Sequence, residues 1–305
     1  MKIKALLFII SISLISCKYF GHGEGIVQPP PNVVGLTFSK SEIPLEDTYT
    51  TLRNALQENP NITIVAEVDH TANANTVSLE LDPTRIIFFG NPNLGTPLMQ
   101  RNQLAGLDLP QKILVYKNKS DVTYLGFNNT SYLASRHGLE GVPTLPTIET
   151  ALTNLTTGAS HGTIVEAERS MVGLGAGIIT KKSNQTFEDT YNSLRAALEN
   201  NPNLNIFAAV DHEENASKNG LELNPTRLLI FGNPQLGTPL MQNRQTTALD
   251  LPQKMLIWED ENGMVHVSYN NPSFLVERHK IKGNRQIIST IANALDSLSD
   301  AAIGE

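Results

Sequence analysis

The chain has 305 residues, enough for about two domains of ordinary size, and its 40% hydrophobic content allows each a packed core. A net charge of −7 gives no basic footprint for nucleic acid, and 6% aromatic residues leave little for a base-stacking surface. The single cysteine, Cys17, excludes an intramolecular disulfide and a Cys-rich metal site.

Lys2 and Lys4 precede an apolar run from Ala5 to Ile15, too short for a membrane span and suited to a signal peptide. Leu14-Ile15-Ser16-Cys17 resembles a bacterial lipoprotein signal. Residues 1–16 are expected to be the signal peptide, with Cys17 lipidated as the first mature residue. The protein would then be held at the membrane of the cell envelope by its acyl chains. Residues 17–32, with three consecutive prolines, read as a partly stiff tether.

The rest of the chain is duplicated. At a shift of 142 residues, Gly35–His137 lies on Gly177–His279 without a gap, with 52 of 103 pairs identical. A first repeat domain is expected over 33–157, a linker over 158–170 and a second repeat domain over 171–305. Within one repeat, 35–39 reads as a short strand. Leu45–Gln57 has apolar or small residues at helical spacing and is stopped by Asn59-Pro60. Ile62, Ile64, Ala66 and Val68 alternate as a strand with one buried face. Residues 71–81 are ambiguous. Thr84–Phe89 is a central apolar strand, followed by a short helix over 96–102. Residues 113–117 and 122–127 flank a turn that becomes Asp260-Glu261-Asn262-Gly263 in the second copy, a hairpin signal. Residues 131–136 read as a last short helix, and amphipathic helices over 147–155 and 286–298 close the repeats. The fold class is α+β: two homologous sheet-plus-helices domains in tandem, related by a pseudo-two-fold axis.

The most faithfully repeated stretch is FGNPNLGTPLMQ, Phe89–Gln100, which returns as FGNPQLGTPLMQ, Phe231–Gln242. It reads as strand end, turn and helix start. Thr96 and Thr238 are expected as N-caps, with Pro97 and Pro239 in the first helical position. Free N–H groups there would suit an anion, and would equally serve a tight connection for its own sake. Asn91 and Asn233, before proline, shape the turn.

Four further pairs recur. Asp69-His70 and Asp211-His212 end strands, as acid/base pairs or as turn residues with a hydrogen-bonded histidine. Arg85 and Arg227 begin the central strand, to clamp an anion or to pair with Glu80 or Asp69. Arg85 stands as much as about 20 Å from the turn if its strand runs straight. His137 and His279 end each repeat beside Arg136 and Arg278, where a helix C-terminus welcomes positive charge. Met99 and Met241 suit a core better than a metal. No His-x-x-x-His spacing, Gly-x-Ser-x-Gly motif or glycine-rich phosphate loop is present. The sequence assigns neither a metal nor a cofactor.

The set of DH, PTR, FGNP with LGTPLMQ, LDLP, YNN or FNN, and RH resembles the bacterial and archaeal family called domain of unknown function 302, over nearly all of both repeats. That resemblance implies a small α+β domain and no established activity. It also implies that two copies in one chain form an intrachain pseudo-dimer. Tyr269 in the second copy is Phe127 in the first, so a site using that hydroxyl would be complete only once. The leading expectation is a non-catalytic module binding a small polar or anionic ligand, or a partner, near the turn. The alternatives are a hydrolase or isomerase using the Asp-His pairs, and a structural protein in which the turn joins domain to domain.

Overall fold

A computed structural model describes residues 28–305; Cys17 and the expected signal peptide lie outside the described residues. In the first repeat, β1 (Leu36–Lys40), α1 (Leu45–Glu58), β2 (Thr63–Asp69), α2 (His70–Thr76), β3 (Thr84–Gly90) and α3 (Pro92–Arg101) follow in order. A 3-10 turn, Gln103–Leu107, leads to β4 (Gln111–Lys117), β5 (Thr123–Asn128), α4 (Thr130–His137) and α5 (Leu145–Ser160). After a short strand β6 (Ile164–Glu166), the second repeat runs β7 (Ile178–Lys182), α6 (Phe187–Glu199), β8 (Asn205–Asp211), α7 (His212–Ser217), β9 (Thr226–Gly232) and α8 (Pro234–Asn243). It ends with a 3-10 turn, Gln245–Leu249, then β10 (Gln253–Glu259), β11 (Val265–Asn270), α9 (Pro272–His279) and α10 (Arg285–Ile303).

Both sheets are antiparallel, in the order β2-β3-β4-β5-β1-β6 and β7-β11-β10-β9-β8. The expected linker is therefore not plain chain. Helix α5 continues to Ser160, and β6 pairs with the otherwise free edge of β1.

The sheets pack face to face. Strand β3 is apolar at every inner position because it is buried on both sides: Ile86 and Phe88 point to the other repeat's Leu228 and Ile230, while Ile87 and Phe89 pack under α1 and α5. In the second repeat Leu229 and Phe231 pack under α6 and α10. The layers are helix, sheet, sheet, helix, and the inter-repeat interface is the central core.

Cross-repeat contacts occur in reciprocal pairs. Gln103 Nε2 donates to Thr226 Oγ1 at 2.9 Å, and Gln245 Nε2 to Thr84 Oγ1 at 2.8 Å. Gln100 Nε2 donates to the Glu222 carbonyl and Gln242 Nε2 to the Glu80 carbonyl. This is the isologous pattern of a two-fold dimer, closed within one chain.

One strand departs from the even alternation. The β2–β3 register shifts between Ile64 and Ala66, and the β8–β9 register shifts between Ile206 and Ala208. Each is a β-bulge, which flips the face presented. Ile62 and Ile64 pack toward the helices, whereas Ala66 and Val68 pack toward the other sheet.

Candidate functional site: two clefts shared between the repeats

The repeated turn forms where β3 ends. Asn91 caps α3: its Oδ1 accepts Asn93 N at 3.0 Å, and its carbonyl accepts Leu94 N and Gly95 N. Pro92 takes the first helical turn, where a missing N–H costs nothing. Asn233 and Pro234 repeat this. The expected N-caps at Thr96 and Thr238 are thereby corrected. Both threonines and the prolines after them lie inside helices, because the Asn-Pro pair upstream already provides cap and starter. The N–H groups after Thr96 are interior to α3, and those at the true helix start are taken by Asn91. The expected anion-binding corner has no free backbone donors.

Neither expected arginine joins the turn, as the length of the strand predicts. Arg85 stands at the other end of β3, with Nε 2.9 Å from Asp69 Oδ2 and Nη1 2.7 Å from Glu46 Oε2. Arg227 pairs in the same way with Asp211 and Glu188. Asp69 also caps α2 through Ala72 N, and Asp211 caps α7 through Glu214 N. The carboxylates thus serve the arginines and helix starts, not the neighbouring imidazoles, and the Asp-His pairs form no dyad.

His70 and His212 instead cross to the opposite repeat. His70 is 5% exposed and bonds the Leu251 backbone; His212 is 6% exposed and bonds the Gly106 backbone. Each Nε2 is buried without a partner. A neutral ring that gives its one proton to that backbone carbonyl through the other nitrogen leaves Nε2 as an acceptor. Burial, only partly offset by the nearby aspartate, pushes both histidines down to about 4, so both rings are neutral at pH 7.

Each histidine lines a cleft together with the repeated turn of the other domain. The first cleft, about 320 Å³, lies between the Phe89–Thr96 turn, α5, and His212 with Asn215. The second, about 70 Å³, lies between the Phe231–Thr238 turn, α10, and His70 with Asn73. The walls are mainly apolar, from Ile62, Leu94, Met99, Ile148 and Leu152 in one and Leu204, Leu236, Met241, Ile291 and Leu295 in the other. Gln111 Nε2 in the first, and Gln253 Nε2 and Oε1 with Thr238 Oγ1 in the second, are buried and also lack partners. Buried polar groups are normally paired, so their occurrence around an apolar cavity in both copies marks the two clefts as the candidate site.

A second polar cluster lies at the inter-repeat centre. Arg136 Nη1 reaches Asp108 Oδ2 at 2.6 Å, and its Nη2 reaches Asn270 Oδ1 across the interface at 2.7 Å. Arg278 pairs with Asp250 and crosses to Asn128. His137 and His279 each bond the same aspartate through Nε2, at 2.8 and 2.6 Å. These histidines therefore pair with carboxylates in the core and do not meet His70. Tyr269, 2% exposed, packs under α10 beside Ser299. Lys112 and Lys254, each 2% exposed, complete the centre. Burial and then the neighbouring Lys112 lower Lys254 to about 7, and its Nζ has no hydrogen-bond partner. Among the described residues no three His, Cys, Asp or Glu side chains are placed to share a metal ion.

The sequence pattern described as domain of unknown function DUF302 matches residues 37–156 and 179–298. The chain belongs to the DUF302 family, as a tandem pair. Over 108 residues it is 42% identical to proteins named fluoride-specific ion channel FluC 1 from Brucella suis and from Brucella abortus. That segment is 35% of this DUF302 chain and 42% and 40% of those proteins, so the chain spans about two fifths of their length. A crystal structure of an uncharacterized conserved protein DUF302 from Bacillus stearothermophilus aligns with a TM-score of 0.38 and 19% identity, covering 41% of this chain and 98% of that one. Among the described residues no helix is long and apolar enough to cross a membrane.

Gln111, Gln253, Asp108, Asp250, Lys112 and Lys254 were not legible as members of a buried polar cluster or a cleft. All fall in LDLPQK, which is identical in the two repeats, and that identity was the available signal.

Proposed function

We propose that this DUF302 protein is a non-catalytic binding module for a small neutral molecule with a largely apolar body and one hydroxyl or N–H donor. The observation that carries this reading is the buried, unpartnered His212 Nε2, repeated at His70, on a ring that lines a cavity walled by aliphatic side chains. A neutral imidazole acceptor calls for a donor, and apolar walls disfavour a charged head. Fluoride transport is a property named for the Brucella proteins. The clefts, with neutral polar groups and apolar walls, do not suit a small hard anion.

Calorimetric titration with 2-naphthol tests the proposal, with 2-methoxynaphthalene and naphthalene-2-sulfonate as controls. Binding of 2-naphthol is expected. The methoxy compound, which leaves His212 unpaired, should bind at least about tenfold more weakly, as should 2-naphthol to His212→Ala. Tighter binding of the sulfonate, unaffected by His212→Ala, would overturn the reading.

A second reading, in which the turn joins the repeats, is favoured by the Gln100 and Gln242 bonds to opposite carbonyls. It accounts for those glutamines and leaves the orphaned histidines unexplained.

We also propose that the protein is held in the cell envelope by a lipidated Cys17. Metabolic labelling with an alkyne fatty acid should tag the wild type and not Cys17→Ser; label retained by the variant would remove the proposal.

A further inference from the structure

The two clefts are built from equivalent parts, yet one has over four times the volume of the other, about 320 against about 70 Å³. The two linings differ at the residue of the β-bulge. The bulged position is Val65 in the first repeat and Phe207 in the second, and each lines the cleft of its own repeat. A bulge re-aims the side chain it carries. The Phe207 ring is turned onto the second turn: a Cβ on Gly232 would meet Phe207 Cε2 at 3.5 Å. At the equivalent Gly90 a Cβ would meet only Pro110 Cβ within 4 Å, at 3.8 Å.

An apolar cavity of about 150 Å³ is enough to hold benzene. The first cleft exceeds that volume and the second falls well below it. The second has not lost its recognition groups, since His70 Nε2, Thr238 Oγ1 and the Gln253 amide still stand unpartnered in it. It lacks only space.

Resting on the binding reading above, we propose that the bulge residue selects ligand size. Val65 opens one working site for a naphthalene-sized neutral molecule against His212, and Phe207 closes its twin. Each residue is native to the equivalent backbone position in the other repeat, so exchanging them asks for no new local structure.

The test is calorimetry with 2-naphthol on the full chain. The wild type should bind one equivalent, Phe207→Val two, and Val65→Phe none. The exchange Val65→Phe/Phe207→Val should restore one equivalent, now weakened at least tenfold by His70→Ala and not by His212→Ala. Circular dichroism and the urea midpoint of each variant confirm that loss of binding is not loss of fold. Two equivalents in the wild type, or one retained by Val65→Phe, would overturn the selector and leave the binding reading standing. No binding by the wild type or by Phe207→Val would overturn both.

Discussion

Arg136→Ala is expected to destabilise the protein by about 3–5 kcal/mol, the range for breaking a buried, hydrogen-bonded ion pair from one side. Arg136 is 1% exposed. Its guanidinium joins three parts of the chain: Asp108 in its own repeat, the Ala176 carbonyl at the start of the second, and Asn270 on β11. Truncation leaves a buried carboxylate with a weaker set of partners and opens a cavity against the Phe274 ring, whose centroid lies 5.0 Å from the guanidinium carbon. Arg278→Ala should cost a similar amount, because its bonds to Asp250, the Val34 carbonyl and Asn128 are the two-fold equivalents. The control is Arg53→Ala, whose pair with Glu67 is exposed and should be worth at most about 1 kcal/mol. Urea midpoints for the three variants decide the matter. An Arg136→Ala loss no larger than that of Arg53→Ala would show that the central network does not hold the repeats together.

What the sequence made legible were the features that local chemistry writes into neighbouring residues. Helical spacing placed α1 within a residue of its observed end, and the hairpin of β10 and β11 followed from Asp260 to Gly263. Duplication and the pairing of repeats could be read because every signal occurred twice. What escaped depended on competition or on distance. Thr96-Pro97 and Asn91-Pro92 are both plausible helix starts, and the earlier one won because the Asn91 side chain and carbonyl satisfy three N–H groups at once. The bulge at Val65 was hidden by the even alternation of Ile62, Ile64, Ala66 and Val68, since a single inserted residue changes the face without changing the letters. The clefts were invisible for another reason. Each joins a histidine to a turn in the other repeat, and such a contact leaves no periodicity in the chain. The sequence reading grouped each histidine with the turn of its own repeat, whereas the fold sets it beside the turn of the other.

Acidification from pH 7 to pH 4 is expected to remove stability steeply, through His70 and His212. An unfolded chain holds histidine near its ordinary value of about 6.5, whereas burial holds both rings at about 4 in the fold. Between these values the unfolded state binds protons that the folded state refuses, so stability falls as the pH falls. The contribution is fully present above about pH 6.5 and is lost by about pH 4; each ring accounts for roughly 3 kcal/mol. Asp69 and Asp211 oppose the burial but do not overcome it. His137 and His279 shift in the same direction by burial, so they add to the slope. Burial pushes Asp108 and Asp250 up, but Arg136 with His137 and Lys112, and Arg278 with His279 and Lys112, together outweigh it and hold both carboxylates low, which extends the loss to still lower pH. Urea midpoints between pH 4.5 and 7.5 measure the slope, and the double variant His70→Gln/His212→Gln isolates the cleft histidines within it. Glutamine keeps a polar side chain in each cleft and removes the titration, so the variant's profile should be markedly flatter than that of the wild type. Parallel profiles would mean that the two rings accept protons in the folded state and are not held as neutral acceptors, which would also remove the basis for a donor-bearing ligand.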